Sequence, residues 1–253
     1  MQYMQSESIR TALIVLSYNG IETTKLFMQN LDKNTDQNNI FLIMIDNGSS
    51  DGSAEYLTEE NKNRNNMVYV SSTSNLGVIG GRNYAFNMYK NLPNKPEYLM
   101  ILDNDQYVQR GWLEHHHSVL QETKSTVVGV EAWLMNSRFY PIRRATRPND
   151  PWTYIGCGGM LMRGEVPERL GLFDDRFNPA YFEDPDYCFR IMDDGGKLAW
   201  NYKSRIIHFP HQTLGKNSKK IDIFKNSYTE FCSKWKNRNF RPQHQVLVDS
   251  LKK

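Results

Sequence analysis

The chain has 253 residues, 39% of them hydrophobic and 23% charged, enough apolar material for one large core and far from the composition of a disordered chain. A net charge of +3 is too weak a bias to suggest nucleic-acid binding. No apolar run approaches the ~20 residues of a membrane span, and residues 1–10 are polar with no signal-peptide core. Three cysteines (Cys157, Cys188, Cys232) without CxxC spacing argue against a disulfide framework and against a zinc site.

In chain order, residues 11–16 (TALIVL) read as a buried strand, followed by helical spacing of Phe27, Met28 and Leu31. A second apolar run, 40–45 (IFLIMI), leads into the polar turn DNGSSDGS and a helix-like AEYLTEE. Residues 67–70 form a third short strand. Gly80–Gly81 then opens a helix whose Ala85, Met88 and Tyr89 share a face. Residues 98–102 (YLMIL) are a fourth strand and 127–130 a fifth. Strands alternating with helices predict an α/β fold with a mostly parallel central sheet flanked by helices. Beyond residue 130 the pattern loosens: Arg143, Arg144, Arg147 and the prolines at 148 and 151 read as a loop. Residues 216–253 are basic and polar, with a helix-like stretch over 223–235, and read as an appendage to the same domain.

Ligands of such sheets bind beyond the carboxyl ends of the strands, so the strand endings are where chemistry is sought. Strand one ends in Ser-Tyr-Asn (17–19), strand two in Asp46-Asn47-Gly48, and strand four in Asp103-Asn104-Asp105. In extended chain, positions i and i+2 point the same way, so Asp103 and Asp105 can share one ligand while Asn104 faces elsewhere. Two hard oxygen donors suit Mg²⁺ or Mn²⁺ shared with a diphosphate; a turn rich in Asp and Asn is the competing reading. Asp46 is either a turn residue or a carboxylate for a nucleotide's base or ribose, and Tyr18 a strand-end aromatic or a face for a nucleobase. The glycine-rich segment 75–83, with free N–H groups and Arg82, suits a diphosphate or simply caps a helix. Asp184 before Pro185 is a standard helix start, or alternatively a general base among Tyr181, Phe182 and Tyr187. A lone His208 is more often structural than a ligand. His115-His116-His117 cannot share one helical face and reads as a solvated surface feature.

Together IVLSYNG (14–20), DNGSSDGS (46–53), NLGVIGGRN (75–83), LDND (102–105), GCGGMLMR (156–163), GLFDDRF (171–177), YFEDPDYCFR (181–190) and IIHFPH (206–211) resemble family 2 glycosyltransferases of the GT-A fold, in order, over roughly residues 9–215. The resemblance implies an inverting transferase that moves a sugar from a nucleoside-diphosphate donor, UDP-linked, to a hydroxyl of a glycan, polymer or protein. It implies a nucleotide-sugar-binding half over about 9–130, an acceptor and catalytic half over 131–215, and an extension over 216–253. Tyr18, Asp46, Asn75, Arg82, Asp103 and Asn104 would meet the donor; Asp103, Asp105 and His208 would hold Mn²⁺ or Mg²⁺. Asp184 would be the catalytic base, with Glu183 and Tyr181 meeting acceptor. The expected setting is the cytoplasm; the lysines and arginines of the basic extension (Lys216, Lys219, Lys220, Lys225, Lys234, Lys236, Arg238, Arg241) are either simply solvated or in contact with the anionic inner face of a membrane. Rival readings are an inactive, carbohydrate-binding relative and a sugar-1-phosphate nucleotidyltransferase; the latter would carry a basic glycine-rich loop where this chain has Ser-Tyr-Asn-Gly.

Overall fold

The computed structural model describes residues 10–209 and 219–236. His211, Lys216, Arg238 and Arg241, named above, lie outside them. The first half alternates strand and helix: β1 (Thr11–Ser17), α1 (Ile21–Asn34), β2 (Ile40–Asp46), α2 (Ser53–Lys62), β3 (Met67–Ser71), α3 (Gly77–Lys90) and β4 (Tyr98–Asp103). A short β5 (Gln106–Val108), α4 (Trp112–Glu122) and β6 (Val127–Gly129) follow. The second half holds β7 (Ala132–Met135), β8 (Pro141–Arg144), β9 (Tyr154–Ile155), β10 (Met160–Arg163), α5 (Glu165–Leu170), α6 (Glu183–Asp193), β11 (Leu198–Trp200), β12 (Ile206–His208) and α7 (Lys220–Trp235).

Seven strands make the main sheet in the order β11-β6-β10-β4-β1-β2-β3, all parallel to their neighbours except β10, which runs against both β4 and β6. The continuous apolar runs of β1 and β2 follow from burial on both faces. Ala12, Ile14, Ile43 and Ile45 turn to one face, packing with Ile79, Ala85 and Tyr89 of α3. Leu13, Val15, Leu42 and Met44 turn to the other, packing with Phe27, Met28 and Leu31 of α1. Strand order reverses between β1 and β4: β2 and β3 extend one way from β1, and the chain then crosses back to place β4 on its other side. Such a switch point opens a crevice at the carboxyl ends.

Three expectations are corrected. Arg143 and Arg144 lie on a strand, β8, the outer member of a three-stranded β8-β7-β9 sheet, and only Arg147 is in a loop. Helix α3 begins at Gly77, three residues before Gly80, so Gly80 and Gly81 sit inside it. His116 and His117 are buried in α4, where Trp112, His116 and Leu120 recur at helical spacing; His115 alone is partly exposed. Both nitrogens of His116 are bonded, Nε2 3.1 Å from the Gly159 carbonyl and Nδ1 3.0 Å from Asn201 Nδ2, while His117 is bonded through Nε2 alone, 2.9 Å from Thr11 Oγ1.

Helix α7 is part of the core. Phe231 and Trp235 are buried against Phe189 at ring separations of 5.3 and 5.2 Å, each worth about 1.5–3 kcal/mol of apolar burial or more. Beneath them the buried Asp186 carboxylate meets Lys234 Nζ at 2.6 Å, Trp235 Nε1 at 2.9 Å and Arg190 Nε at 3.0 Å. Lys234, read as solvated or facing a membrane, is instead held in the interior by Asp186 and Asp174. No helix among the described residues is long and apolar enough to cross a membrane.

Candidate active site

A cavity of about 760 Å³ opens at the switch point. Register explains its acidic rim: Ser17 pairs with Asp46 and Leu16 with Asp103, so β1, β2 and β4 end side by side. Because β10 is antiparallel, the loop before it (residues 156–159) returns to that same rim. The cavity is lined by Tyr18, Asn75, Arg82, Asp103, Asn104, Asp105, Tyr181, Glu183, Asp184 and His208. Of the residues expected to meet donor, acceptor or metal, Asp46 alone stands outside that lining; Tyr187, named beside Asp184, is outside it too.

Asp46 is fully buried behind the wall, where one oxygen accepts from Ser49 N at 3.1 Å and Ser71 Oγ at 3.0 Å and the other, Oδ1, has no partner. The adjoining Asn47 braces the glycine-rich segment: its Oδ1 accepts from Leu76 N, and its Nδ2 donates to Asn75 Oδ1 and to the Gly77 carbonyl. Gly77 lies at φ +78°, and a Cβ there would come within 2.3 Å of Asn178 Oδ1, so the segment needs glycine for both conformation and space.

Asp103, Asp105 and His208 each present one ligand atom within 4.8 Å of the others. His208 Nε2 lies 3.2 Å from Asp105 Oδ1 and 4.0 Å from Asp103 Oδ2. Apart from that ion-pair contact, Asp105 Oδ1 is buried without a hydrogen-bond partner. Two carboxylates and an imidazole, one oxygen lacking a hydrogen-bond donor, form a donor set that fits Mg²⁺ or Mn²⁺. Asn104 and Asp105 form a turn beyond the end of β4, not the extended chain expected, so the turn and not strand alternation brings the two acids together. Asn104 lines the cavity while its amide donates to Thr24 Oγ1 at 3.0 Å. The close approach of the 156–159 loop is visible at Gly158, where a Cβ would meet Asp103 Oδ2 at 2.3 Å.

Arg82 is buried, its Nη2 2.5 Å from Asp103 Oδ1 and its Nη1 4.0 Å from Glu183 Oε1. Burial alone would lower its pKa; the two carboxylates outweigh that and hold it above the ordinary arginine value. The guanidinium thus ties the β4 acids to the start of α6. Glu183 Oε2 is buried with no partner. Burial, then the neighbouring Asp184 charge, pushes the Glu183 carboxyl up, and burial likewise raises Asp184.

Asp184 does not cap α6. The cap position is Phe182, in the left-handed region at φ +65° directly after Tyr181 at φ +73°, and it makes no side-chain cap bond. Pro185 is accordingly the third helical residue, not the first. Asp184 Oδ1 instead accepts from Cys157 N at 3.1 Å. Two successive non-glycine residues at positive φ are costly, and such strain gathers at functional sites. The buried Tyr181 hydroxyl also lacks a partner.

Glu131, Trp133, Tyr154 and Phe224 line the cavity as well and were not singled out in the sequence. The signal for the first two was present: Glu131-Ala-Trp133 follows the apolar run that ends β6, the same strand-end logic that marked Asp46 and Asp103.

The arrangement is that of a GT-A nucleotide-sugar fold. Residues 12–189 match the model of glycosyl transferase family 2, and the chain belongs to that family. Its fold is similar to that of GalNAc-T7, solved with UDP, GalNAc and Mn²⁺ (TM-score 0.67, 15% identity, 98% of this chain and 54% of that one). It is similar also to residues 1–349 of TarS from S. aureus with UDP-GlcNAc (TM-score 0.65, 15% identity, 96% and 71%). A third similar structure is the mannosyltransferase PcManGT from Pyrobaculum calidifontis with GDP-Man and Mn²⁺ (TM-score 0.57, 17% identity, 76% and 54%). The chain therefore spans about half the length of the GalNAc-T7 chain. Comparison with curated proteins returns no match.

Proposed function

We propose that the chain transfers a sugar from a UDP-linked donor to an acceptor hydroxyl, inverting the anomeric centre. The observation that carries this reading is that one cavity is lined both by the Asp103–Asp105–His208 group and by Asp184. The nucleotide and nucleotide-sugar complexes of the similar structures support a nucleoside-diphosphate donor. Mn²⁺ or Mg²⁺ held by Asp103, Asp105 and His208 would neutralise charge building on the departing diphosphate. Tyr18, Asn75 and Asn104 flank the donor, with Asp46 supporting the base from behind.

An acceptor hydroxyl is a weak nucleophile at neutral pH. With Oδ1 of Asp184 fixed by the Cys157 N–H, Oδ2 takes the hydroxyl proton as the oxygen attacks the anomeric carbon opposite the diphosphate. Burial raises the Asp184 pKa above that of an exposed aspartate, which makes it a stronger base. Glu183 and Tyr181, each with a buried polar atom lacking a partner, orient the acceptor.

A thermal-shift and nucleotide-release panel of UDP- and GDP-sugars, with and without Mn²⁺, tests the reading. A UDP-sugar is expected to raise the melting temperature only with metal present and to release UDP. No shift and no release across the panel would overturn it.

A further inference from the structure

Glu131 stands just before β7, with its backbone carbonyl accepting from Gly156 N at 3.0 Å. Its side chain is 12% exposed, yet it meets three groups. Oε1 lies 3.1 Å from His208 Nδ1 and 3.1 Å from Arg144 Nη1, and the Trp133 side chain also bonds the carboxylate. Asp105 touches the same imidazole from the other side, through Nε2. His208 thus lies between a cavity carboxylate and a carboxylate that is itself anchored by an arginine on the β8 edge.

An imidazole whose Nδ1–H is given to a fixed carboxylate is locked in the tautomer that leaves Nε2 as a lone-pair donor, and its ring cannot swing away. A plain surface ion pair between Glu131 and Arg144 would not require His208, and would leave Glu131 exposed; here Arg144 is 49% exposed while Glu131 is not.

Resting on the metal assignment proposed above, we infer that Glu131 is a positioning residue: it fixes His208 Nε2 toward the cation shared with Asp103 and Asp105, and Arg144 holds Glu131 in place. The contacts run from Arg144 on the exposed β8 strand through Glu131 and the His208 ring to Asp105.

The test is titration of Mn²⁺ alone into the full chain, read as loss of the free-ion paramagnetic resonance signal, on wild type, D105A, E131A, E131Q and R144A. Melting temperatures are recorded in parallel. Loss of Mn²⁺ binding in D105A identifies the cation site itself. E131A is expected to weaken Mn²⁺ binding about 10- to 100-fold. E131Q, which keeps an acceptor for Nδ1–H, recovers part of that loss, and R144A falls between wild type and E131A. Wild-type Mn²⁺ affinity in E131A overturns the inference while leaving the metal site intact. Equal defects in E131A and E131Q that track an equal fall in melting temperature also overturn it, since they signal a folding role only. Absence of Mn²⁺ binding in wild type would overturn the metal assignment, and this inference with it.

Discussion

Asp184 Oδ1 accepts a hydrogen bond from the backbone N–H of Cys157, 27 positions earlier in the chain, at 3.1 Å. The carboxylate is therefore oriented by the glycine loop before β10 and not by its own helix, whose cap residue is Phe182. A side chain that merely started α6 would bond its own helix N–H groups; this one crosses the cavity wall.

Asp184→Asn keeps an oxygen for the Cys157 N–H but cannot accept a proton. Turnover is expected to fall by about 10²–10⁴-fold, with UDP affinity and melting temperature close to wild type. Steady-state rates alongside calorimetric UDP titration check this; matched losses in turnover and affinity would count against a base.

Gly158→Ala would place a methyl group 2.3 Å from Asp103 Oδ2 and 3.3 Å from Gln106 Nε2. Both obstacles are side-chain ends, so the fold tolerates the change while the carboxylate is displaced. Circular dichroism should be preserved and metal-dependent nucleotide binding weakened at least tenfold. Unaltered binding would show that Asp103 need not stay where it is.

Burial lowers the His116 and His117 pKa values to about 4 from an ordinary 6.5. Between those limits the unfolded chain binds more protons than the folded one, so stability rises with pH there. The contribution of the neutral rings is complete above pH 6.5 and is lost as pH falls toward 4, at about 1.4 kcal/mol per pH unit per histidine. Urea midpoints at pH 7.5, 5.5 and 4.5 measure it, and a flat profile would refute it.

Asp186→Ala leaves Lys234 and Arg190 without their buried carboxylate. Breaking one side of a buried ion pair costs about 3–5 kcal/mol, the lower end applying because Asp174 still meets Lys234. Chemical denaturation would read the loss; a change below about 1 kcal/mol would mean that Asp186 does little to hold α7.

The parallel half of the fold was legible because apolar runs of strand length alternate with helical spacing, and strand endings announced Tyr18, Asp103 and Asp105. The second half was less so. Strands of two to four residues such as β9 and β8 are too short to show a period, and Arg143 and Arg144 read as loop because β8 is an exposed edge. His116 was misread because local pattern cannot reveal a partner 43 positions away, the Gly159 carbonyl. Asp184 followed by Pro185 looked like a cap because capping preferences are local, whereas the bond from Cys157 depends on tertiary structure. Glu131 was readable as a strand ending but was passed over, and its contact with His208, 77 residues later, could not be read locally.

The polarity of β10 settles whether the molecule has one workplace or two half-built ones. Were this four-residue strand to run with its neighbours, the chain before it would emerge at the far rim, roughly 13 Å away. Cys157 would then have no route to Asp184, nor Gly158 to Asp103. The single reversal in the main sheet lets one short loop reach the acid that ends a strand of the first half and the acid that opens a helix of the second, so a single rim is assembled from both halves of the chain.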